Sequence, residues 1–133
     1  MKTVFLEIFT PTKSLYSGMV KSVTVPGSCG SFQILYNHAA ILSLLELGVI
    51  KINELDDKVQ LFFCSGGSVE VKENKVLILA EAAENKEDID PVRAAESLNR
   101  AKERLTAANK EVDFDRASAA LKRAILRLKL KNS

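Results

Sequence analysis

Hydrophobic and polar residues alternate in short runs over residues 1–84, and this alternation predicts β-strands. In the first run Val4, Leu6 and Ile8 fall on one side of the chain, and Gly, Pro, Asn and Asp close many of the later runs. The predicted strands cover residues 3–10, 14–16, 20–25, 32–36, 49–52, 59–64, 69–71 and 76–79, with a further apolar stretch at 39–47. No helix-length segment separates these runs, which argues against a parallel α/β fold. The pattern predicts an antiparallel β-sandwich or barrel of about ten short strands.

The spacing of apolar residues changes after Glu84 and predicts two helices in residues 85–133. Asp90 is suited to cap the first helix and Pro91 to open it, because proline lacks the N–H that would be unpaired there. The predicted apolar faces are Ala94, Leu98, Ala101 and Leu105 in the first helix, and Phe114, Ala117, Leu121, Ala124 or Ile125, and Leu128 in a second helix from Asp113. The elbow at residues 106–112 is short, so the two helices should form an antiparallel hairpin.

All six arginines lie in the predicted hairpin, three on one face of each helix. They are Arg93, Arg100 and Arg104 on the first helix and Arg116, Arg123 and Arg127 on the second. An antiparallel arrangement would set Arg93 beside Arg127, Arg104 beside Arg116, and Arg100 near Arg123. Facing arginines would repel one another unless an anion lay between them, which predicts a phosphate or carboxylate ligand or an acidic partner surface. The alternative is that the arginines lie on outer faces and form ordinary surface pairs, such as Glu96 with Arg100.

Composition divides the chain at the same place as the hydrophobic pattern. All six glycines lie between Gly18 and Gly67, residues 1–84 carry a net charge of about −2 and residues 85–133 one of about +4. The net charge of +2 is too small to indicate a nucleic-acid partner. We also expect a soluble protein, since no signal peptide and no apolar run of membrane-spanning length is visible.

Few residues could carry out catalysis or bind a metal ion. Cys29 and Cys64 lack metal-ligand spacing and are expected to be free thiols. The single histidine, His38, has only Tyr36 and Asn37 as polar neighbours in the sequence, so a structural or contact role is favoured over that of a general base. Residues 65–68 lack the lysine and the helix of a phosphate-binding loop and are predicted to form a tight turn.

Several segments together resemble the epsilon subunit of the bacterial F-type ATP synthase. They are Gly30-Ser31-Phe32-Gln33-Ile34-Leu35-Tyr36-Asn37-His38-Ala39, Gly48-Val49, Ser65-Gly66-Gly67-Ser68-Val69-Glu70-Val71, Asp88-Ile89-Asp90 and Ala120-Leu121-Lys122-Arg123-Ala124. The resemblance implies a β-sandwich that binds the gamma subunit and the c-ring in residues 1–84, and a regulatory helical hairpin in residues 85–133. It also implies a subunit without catalytic activity, which lies peripherally at the cytoplasmic face of the bacterial cell membrane.

The same resemblance implies a regulatory site for ATP, with no obligatory cofactor. Some family members bind ATP through a motif written Ile/Leu-Asp-x-x-Arg-Ala, and Ile89 to Ala94 match it fully. The implied ligand-binding residues are Glu84, Ile89, Asp90, Arg93, Ala94, Arg100, Arg123 and Arg127. ATP is expected to hold the hairpin closed, whereas an extended hairpin would reach the alpha/beta catalytic hexamer and block ATP hydrolysis.

The resemblance also implies that Ser31 and His38 contact the c-ring. This loop departs from the family pattern at Gln33, Tyr36 and Ala40, where the family often has glycine, proline and proline, so the details of docking stay open. A second interpretation also stays open, in which the chain is a free-standing cytosolic ATP-binding sensor that acts outside any larger assembly.

Overall fold

The computed structural model describes residues 2–107 and 111–133, without the side chains of Glu111 and Val112. The chain divides into two compact units, one that ends at Asn85 and one that begins at Lys86. The first unit is built from β-strands and the second from helices, which confirms the predicted fold class.

The β unit contains nine strands within the described residues. They are β1 (Val4–Phe9), β2 (Ser14–Gly27), β3 (Gly30–Ile34), β4 (Ile41–Leu45), β5 (Gly48–Glu54), β6 (Val59–Cys64), β7 (Gly67–Lys72), β8 (Lys75–Ala80) and β9 (Ala83–Asn85). The strand order is β1-β8-β7-β4-β2-β5-β6-β9, with β3 paired to β2 and β1 paired to β2 as well. Strands β1 and β8 run parallel, and the other pairs are antiparallel.

Apolar side chains at alternate positions of the strands point inward and fill the core of the β unit, as the hydrophobic pattern predicts. In β1 the inward positions Val4, Leu6 and Ile8 are fully buried, while the residues between them are partly exposed. The same alternation brings residues from seven more strands into one cluster, which includes Val20, Ile34, Leu45, Ile52, Cys64, Val71 and Ile78. Both cysteines are free, and burial raises the pKa of the Cys64 thiol.

The structure departs most from the predicted strands in three places. Strand β2 is one strand of 14 residues rather than two short ones, because Ser17 and Gly18 stay paired with β1 despite their turn-like composition. Strand β3 ends at Ile34, since the chain turns where His38 donates its backbone N–H to the Leu35 carbonyl at 3.1 Å. Strand β9 has only three residues, too few for an alternating pattern to be recognised.

A chain of side-chain hydrogen bonds links the middle of the β unit to its last residue. The Tyr16 hydroxyl donates to Glu54 Oε2 at 3.0 Å, Gln60 donates to Glu54 Oε1 at 2.9 Å, and Asn85 donates to Gln60 Oε1 at 2.8 Å. Burial, together with the Glu54 carboxylate, raises the pKa of Tyr16 to about 12. The network therefore anchors β9, the strand that leads into the helical unit.

The helical unit consists of a short 3-10 turn (Lys86–Asp88) and two helices, α1 (Pro91–Ala107) and α2 (Glu111–Lys131), which pack against each other. Asp90 caps α1 as predicted, since its Oδ1 accepts the backbone N–H groups of Val92 at 2.9 Å and Arg93 at 3.3 Å. The elbow predicted at residues 106–112 includes residues 108–110, which lie outside the described part of the chain.

Alanines form the centre of the contact between the two helices. Ala94 and Ala101 are the buried residues of α1, and Ala117 and Ala124 are buried on α2, with exposures of 3–6%. Each pair is separated by seven residues, so each lies on one face of its helix. Small side chains allow the two backbones to approach closely.

The structure decides one open prediction about the apolar face of α2 and corrects another. The structure selects Ala124 rather than Ile125 for the interface, since Ile125 is 48% exposed. Phe114 was predicted to be buried, but it lies near the start of α2 and is 50% exposed.

Hydrogen bonds also join the 3-10 turn to the end of α2. Lys86 Nζ donates to the backbone oxygen of Ser133 at 2.7 Å, and Lys131 Nζ donates to the backbone oxygens of Lys86 at 3.2 Å and Glu87 at 3.3 Å. These bonds tie the carboxyl end of α2 to the segment that precedes α1.

Candidate functional site

Two neighbouring grooves on the helical unit are lined by arginines from both helices. The first, called here the arginine groove, has a volume of about 250 Å³. It is lined by Ser97, Arg100, Ala101, Arg104, Ala120, Arg123, Ala124 and Arg127. The second, called the elbow groove, has a volume of about 610 Å³. It is lined by Arg104, Ala107, Asp113, Arg116, Ala117, Ala119, Ala120 and Arg123.

The grooves lie where the interface alanines and the arginines meet. Ala101 and Ala124 are buried between the helices, and both also line the arginine groove. A larger residue at either position would fill the space between the facing arginines. The sequence therefore creates the groove by placing small residues beside long cationic ones.

The arginine groove carries a strong positive charge. Four guanidinium groups line it, and none of its lining residues is acidic. Arg100 donates a hydrogen bond to Ser97 Oγ at 3.2 Å, and no ion pair joins it to Glu96 in the structure. The alternative pairing of Arg100 with Glu96 is therefore not observed.

The predicted ligand-binding residues fall into two groups. Arg100, Arg123 and Arg127 line the arginine groove together. Arg93 lines neither groove and is exposed. The predicted neighbours Arg104 and Arg116 line the elbow groove together, as their positions on antiparallel helices require.

The remaining predicted residues line neither groove. Asp90 caps α1, and Ile89 and Ala94 are buried, with exposures of 3% and 6%. Glu84 belongs to the β unit, where it lies in β9 opposite Phe63 of β6. None of these placements tests the prediction that these residues bind a nucleotide.

Arg104 lines both grooves, although the family resemblance does not include it among the residues implied for ATP. Its spacing of four residues from Arg100 predicted that it shares a face of α1 with that residue and belongs to the cluster of facing arginines. The helical spacing, and not the family motif, identified this residue.

The two residues predicted to contact the c-ring lie on either side of the end of β3. Ser31 is exposed and donates its hydroxyl to the Val25 carbonyl at 3.2 Å. The His38 ring stacks on Phe32 with a centroid distance of 6.2 Å, and its Nδ1 lies 2.8 Å from the Ala39 oxygen. Asn37, in a left-handed conformation, donates its backbone N–H to Asn74 Oδ1 and so fixes this loop to the turn between β7 and β8.

Apolar side chains lie on the outward side of β4, β8 and β1 in the β unit, with Ser68 and Glu70 of β7 and Glu7 of β1 among them. We call this surface the outer apolar face after its apolar residues, which are Leu42, Leu44, Leu77, Leu79 and Phe9. Leu42 and Leu44 are 73% and 68% exposed. The register places Leu44, Ser68, Leu79 and Phe9 in one row across the four strands. Such a surface is typical of a protein interface.

Within the described residues, no group of acidic, histidine or cysteine side chains is placed to hold a metal ion. Neither described helix is long and apolar enough to cross a membrane.

The chain is similar to known proteins over almost its whole length. Residues 3–86 match the family model of the ATP synthase delta/epsilon chain, β-sandwich domain, and residues 87–132 match that of the long alpha-helix domain. The ATP synthase epsilon chain of Nitratidesulfovibrio vulgaris is 42% identical over 132 residues, which cover 99% of this chain and 98% of the relative. The ATP synthase epsilon chain of Bacillus velezensis is 38% identical over 128 residues, which cover 96% of each chain.

Solved structures show the same fold. A chain in the cryo-EM structure of the Euglena gracilis mitochondrial ATP synthase, OSCP/F1/c-ring, has a TM-score of 0.83 at 20% identity, covering 98% of this chain and 82% of that one. A chain in the central stalk and c-ring structure of the Tetrahymena thermophila mitochondrial ATP synthase has a TM-score of 0.64 at 19% identity and covers 96% of each chain. Since two family models together cover nearly every residue, the chain belongs to the ATP synthase delta/epsilon chain family.

Proposed function

We propose that this chain is the regulatory and coupling subunit of the central stalk of a proton- or sodium-driven ATP synthase. In this proposal the closed hairpin binds ATP, and the extended hairpin blocks ATP hydrolysis at the alpha/beta catalytic hexamer. The observation that carries the ATP proposal is the convergence of Arg100, Arg104, Arg123 and Arg127 on one groove between α1 and α2.

The arginine groove suits the phosphate groups of a nucleotide. Guanidinium groups bind phosphate oxygens through paired, charge-assisted hydrogen bonds, and they repel one another when no anion is present. A volume of about 250 Å³ is small for a whole nucleotide, so the adenosine would extend beyond the groove. We assign the phosphates to Arg100, Arg123 and Arg127, and contacts outside the groove to Ile89, Asp90, Arg93 and Ala94.

Binding at this groove would act as a switch, because the arginines come from both helices. A ligand held by Arg100 of α1 and Arg127 of α2 binds only when the helices are packed together. The ligand therefore stabilises the closed hairpin by the difference between its affinities for the closed and open states. When ATP is scarce, the emptied groove favours opening, and hydrolysis is inhibited.

Titration of the purified chain with ATP, followed by calorimetry, tests this site. Arg100→Gln and Arg127→Gln should each weaken ATP binding by about tenfold or more, because each removes a charged hydrogen-bond donor. Lys102→Gln is the matched control, since Lys102 is an exposed residue of α1 that lines neither groove. Arg93→Ala tests the contacts assigned outside the groove. An unaltered affinity in both groove variants, or no binding at millimolar ATP, would refute the ATP site and leave family membership intact.

We further propose that the outer apolar face docks on the gamma subunit, and that the loop with Ser31 and His38 faces the c-ring. The proposal is supported by the exposure of Leu42 and Leu44 and by the assemblies in which the structurally similar chains occur. Burial of two exposed leucines would contribute about 3 kcal/mol or more to association. Such an interface would distinguish the stalk-subunit interpretation from that of a free-standing sensor, because a sensor that acts alone needs no docking surface.

Leu44→Glu should abolish co-purification with the gamma subunit or weaken it by at least about tenfold, because a carboxylate would be buried in an apolar interface. Val59→Glu is the control, since Val59 is 50% exposed on β6, which does not border the outer apolar face. Both variants should fold normally. Equal binding of gamma by wild type and Leu44→Glu would place the interface elsewhere.

A further inference from the structure

The elbow groove is larger than the arginine groove and shares Arg123 with the nucleotide site described above, whereas Arg116 lines the elbow groove alone. Its volume of about 610 Å³ lies within the range of small-molecule sites. Arg104 of α1 and Arg116 and Arg123 of α2 line it, with alanines between them. The small alanine side chains leave the space open, and the arginines supply its polar groups.

Charge in the elbow groove is unbalanced. Three guanidinium groups face it, whereas Asp113 is its single acidic lining residue. Within residues 2–107 and 111–133, neither ion pair of the structure involves Arg104, Arg116 or Arg123. Their positive charges are therefore not neutralised by carboxylates of the described residues, and an anion between them would relieve the repulsion.

We propose that the elbow groove is a second anion site, which binds a small phosphate oxyanion such as inorganic phosphate. Arginines of both helices line the groove, and a compact tetrahedral anion can accept hydrogen bonds from more than one guanidinium group. A groove lined by side chains of two packed helices suits a small ligand better than an extended acidic protein surface, so we favour the small oxyanion.

The two grooves are adjacent but separable. Arg104, Ala120 and Arg123 line both, while Arg116 lines only the elbow groove and Arg100 lines only the arginine groove. Phosphate in the elbow groove would hold α1 and α2 together when no nucleotide is bound, because its arginines also come from both helices. The hairpin would then respond to phosphate as well as to ATP.

Titration of the isotopically labelled full chain with inorganic phosphate, followed by amide chemical shifts at constant ionic strength, tests the second site. We expect saturable shifts at the amides of Arg116, Ala117 and Ala120, and no comparable shifts with chloride. Arg116→Gln should weaken phosphate binding by about tenfold or more while ATP binding changes less than about twofold. Arg100→Gln should show the reverse. Lys122→Gln removes the same charge from an exposed position of α2 that lines neither groove, and it should behave as wild type.

Two results would overturn the second site. Shifts that rise linearly with phosphate and are equal in Arg116→Gln and Lys122→Gln would indicate charge screening alone. If phosphate produced no saturable shift, and Arg116→Gln instead reduced inhibition of hydrolysis in the assembled ATP synthase, the arginine would belong to a protein interface. Saturable phosphate binding without any ATP binding would retain the elbow site and refute only the nucleotide proposal.

Discussion

Replacing Gly67 by alanine is expected to destabilise the β unit by about 4 kcal/mol, a large fraction of the stability of a domain of this size. Gly67 begins β7 with a φ of 144°, a conformation that residues with a side chain rarely adopt. An added Cβ would lie 2.0 Å from the Leu79 carbonyl oxygen and 2.9 Å from the Ala80 Cα. Both are backbone atoms of the adjacent strand β8, so no side chain can rotate away to relieve the collision.

Gly30→Ala is the matched control for this prediction. Gly30 also has a positive φ, 125°, but an added Cβ there would meet no atom within 4 Å. We expect it to cost about 1–2 kcal/mol from backbone strain alone. Amide hydrogen exchange of β7 and β8 in the full chain would measure both losses, since it reports on the β unit separately from the helices. Equal losses in the two variants would show that strain, and not the close approach of β8, makes Gly67 necessary.

Much of the β unit could be predicted because local pattern and tertiary structure agree there. Alternation located β1, β6 and β8 to within a residue or two, and Asp57 and Asn74 adopt the left-handed conformation that Asp and Asn tolerate in turns. Strand β2 could not be predicted whole, because its continuity depends on pairing with β1 and then with β5, which is a tertiary effect. The glycine at position 18 indicated a break in the strand, but pairing with β1 keeps the strand continuous there.

In the helical unit, periodicity predicted which residues share a face but not how closely the two helices approach. Ala124 and Ile125 fit the period equally well, and only the close packing of the helices selects the smaller residue. The arginine spacing likewise predicted a common face for Arg93, Arg100 and Arg104. Arg93 lies about 10 Å along the axis from Arg100, beyond the segment of α1 that lines the groove. The extent of a groove along the helices depends on their packing, which the sequence does not specify.

The close packing of α1 and α2 leads to the prediction that Ala117→Leu will separate the two helices. Ala117 is 3% exposed at the helix interface and also lines the elbow groove, so a leucine there pushes α1 away, adopts a strained rotamer or fills part of that groove. We expect the closed hairpin to lose about 2–3 kcal/mol, as measured by amide hydrogen exchange of α1 and α2. Ala119→Leu adds the same side chain two residues further along α2, at an exposed position, and should change stability by less than about 0.5 kcal/mol.

The functional consequence follows from the position of the grooves between the helices. Because the arginine groove needs residues from both α1 and α2, Ala117→Leu should weaken ATP binding even though it removes no charge and no ligand-binding residue. A loss of 2–3 kcal/mol in hairpin closure lowers the apparent ATP affinity by about 30- to 150-fold if the open state becomes dominant, and by less if closure is initially very favourable. In the assembled ATP synthase the same variant should inhibit hydrolysis more strongly than wild type at equal ATP, because more of the hairpin is open. A variant that loses helix packing but keeps full ATP affinity would show that the nucleotide binds one helix alone, and the population shift between closed and open hairpins would then fail as the mechanism of regulation.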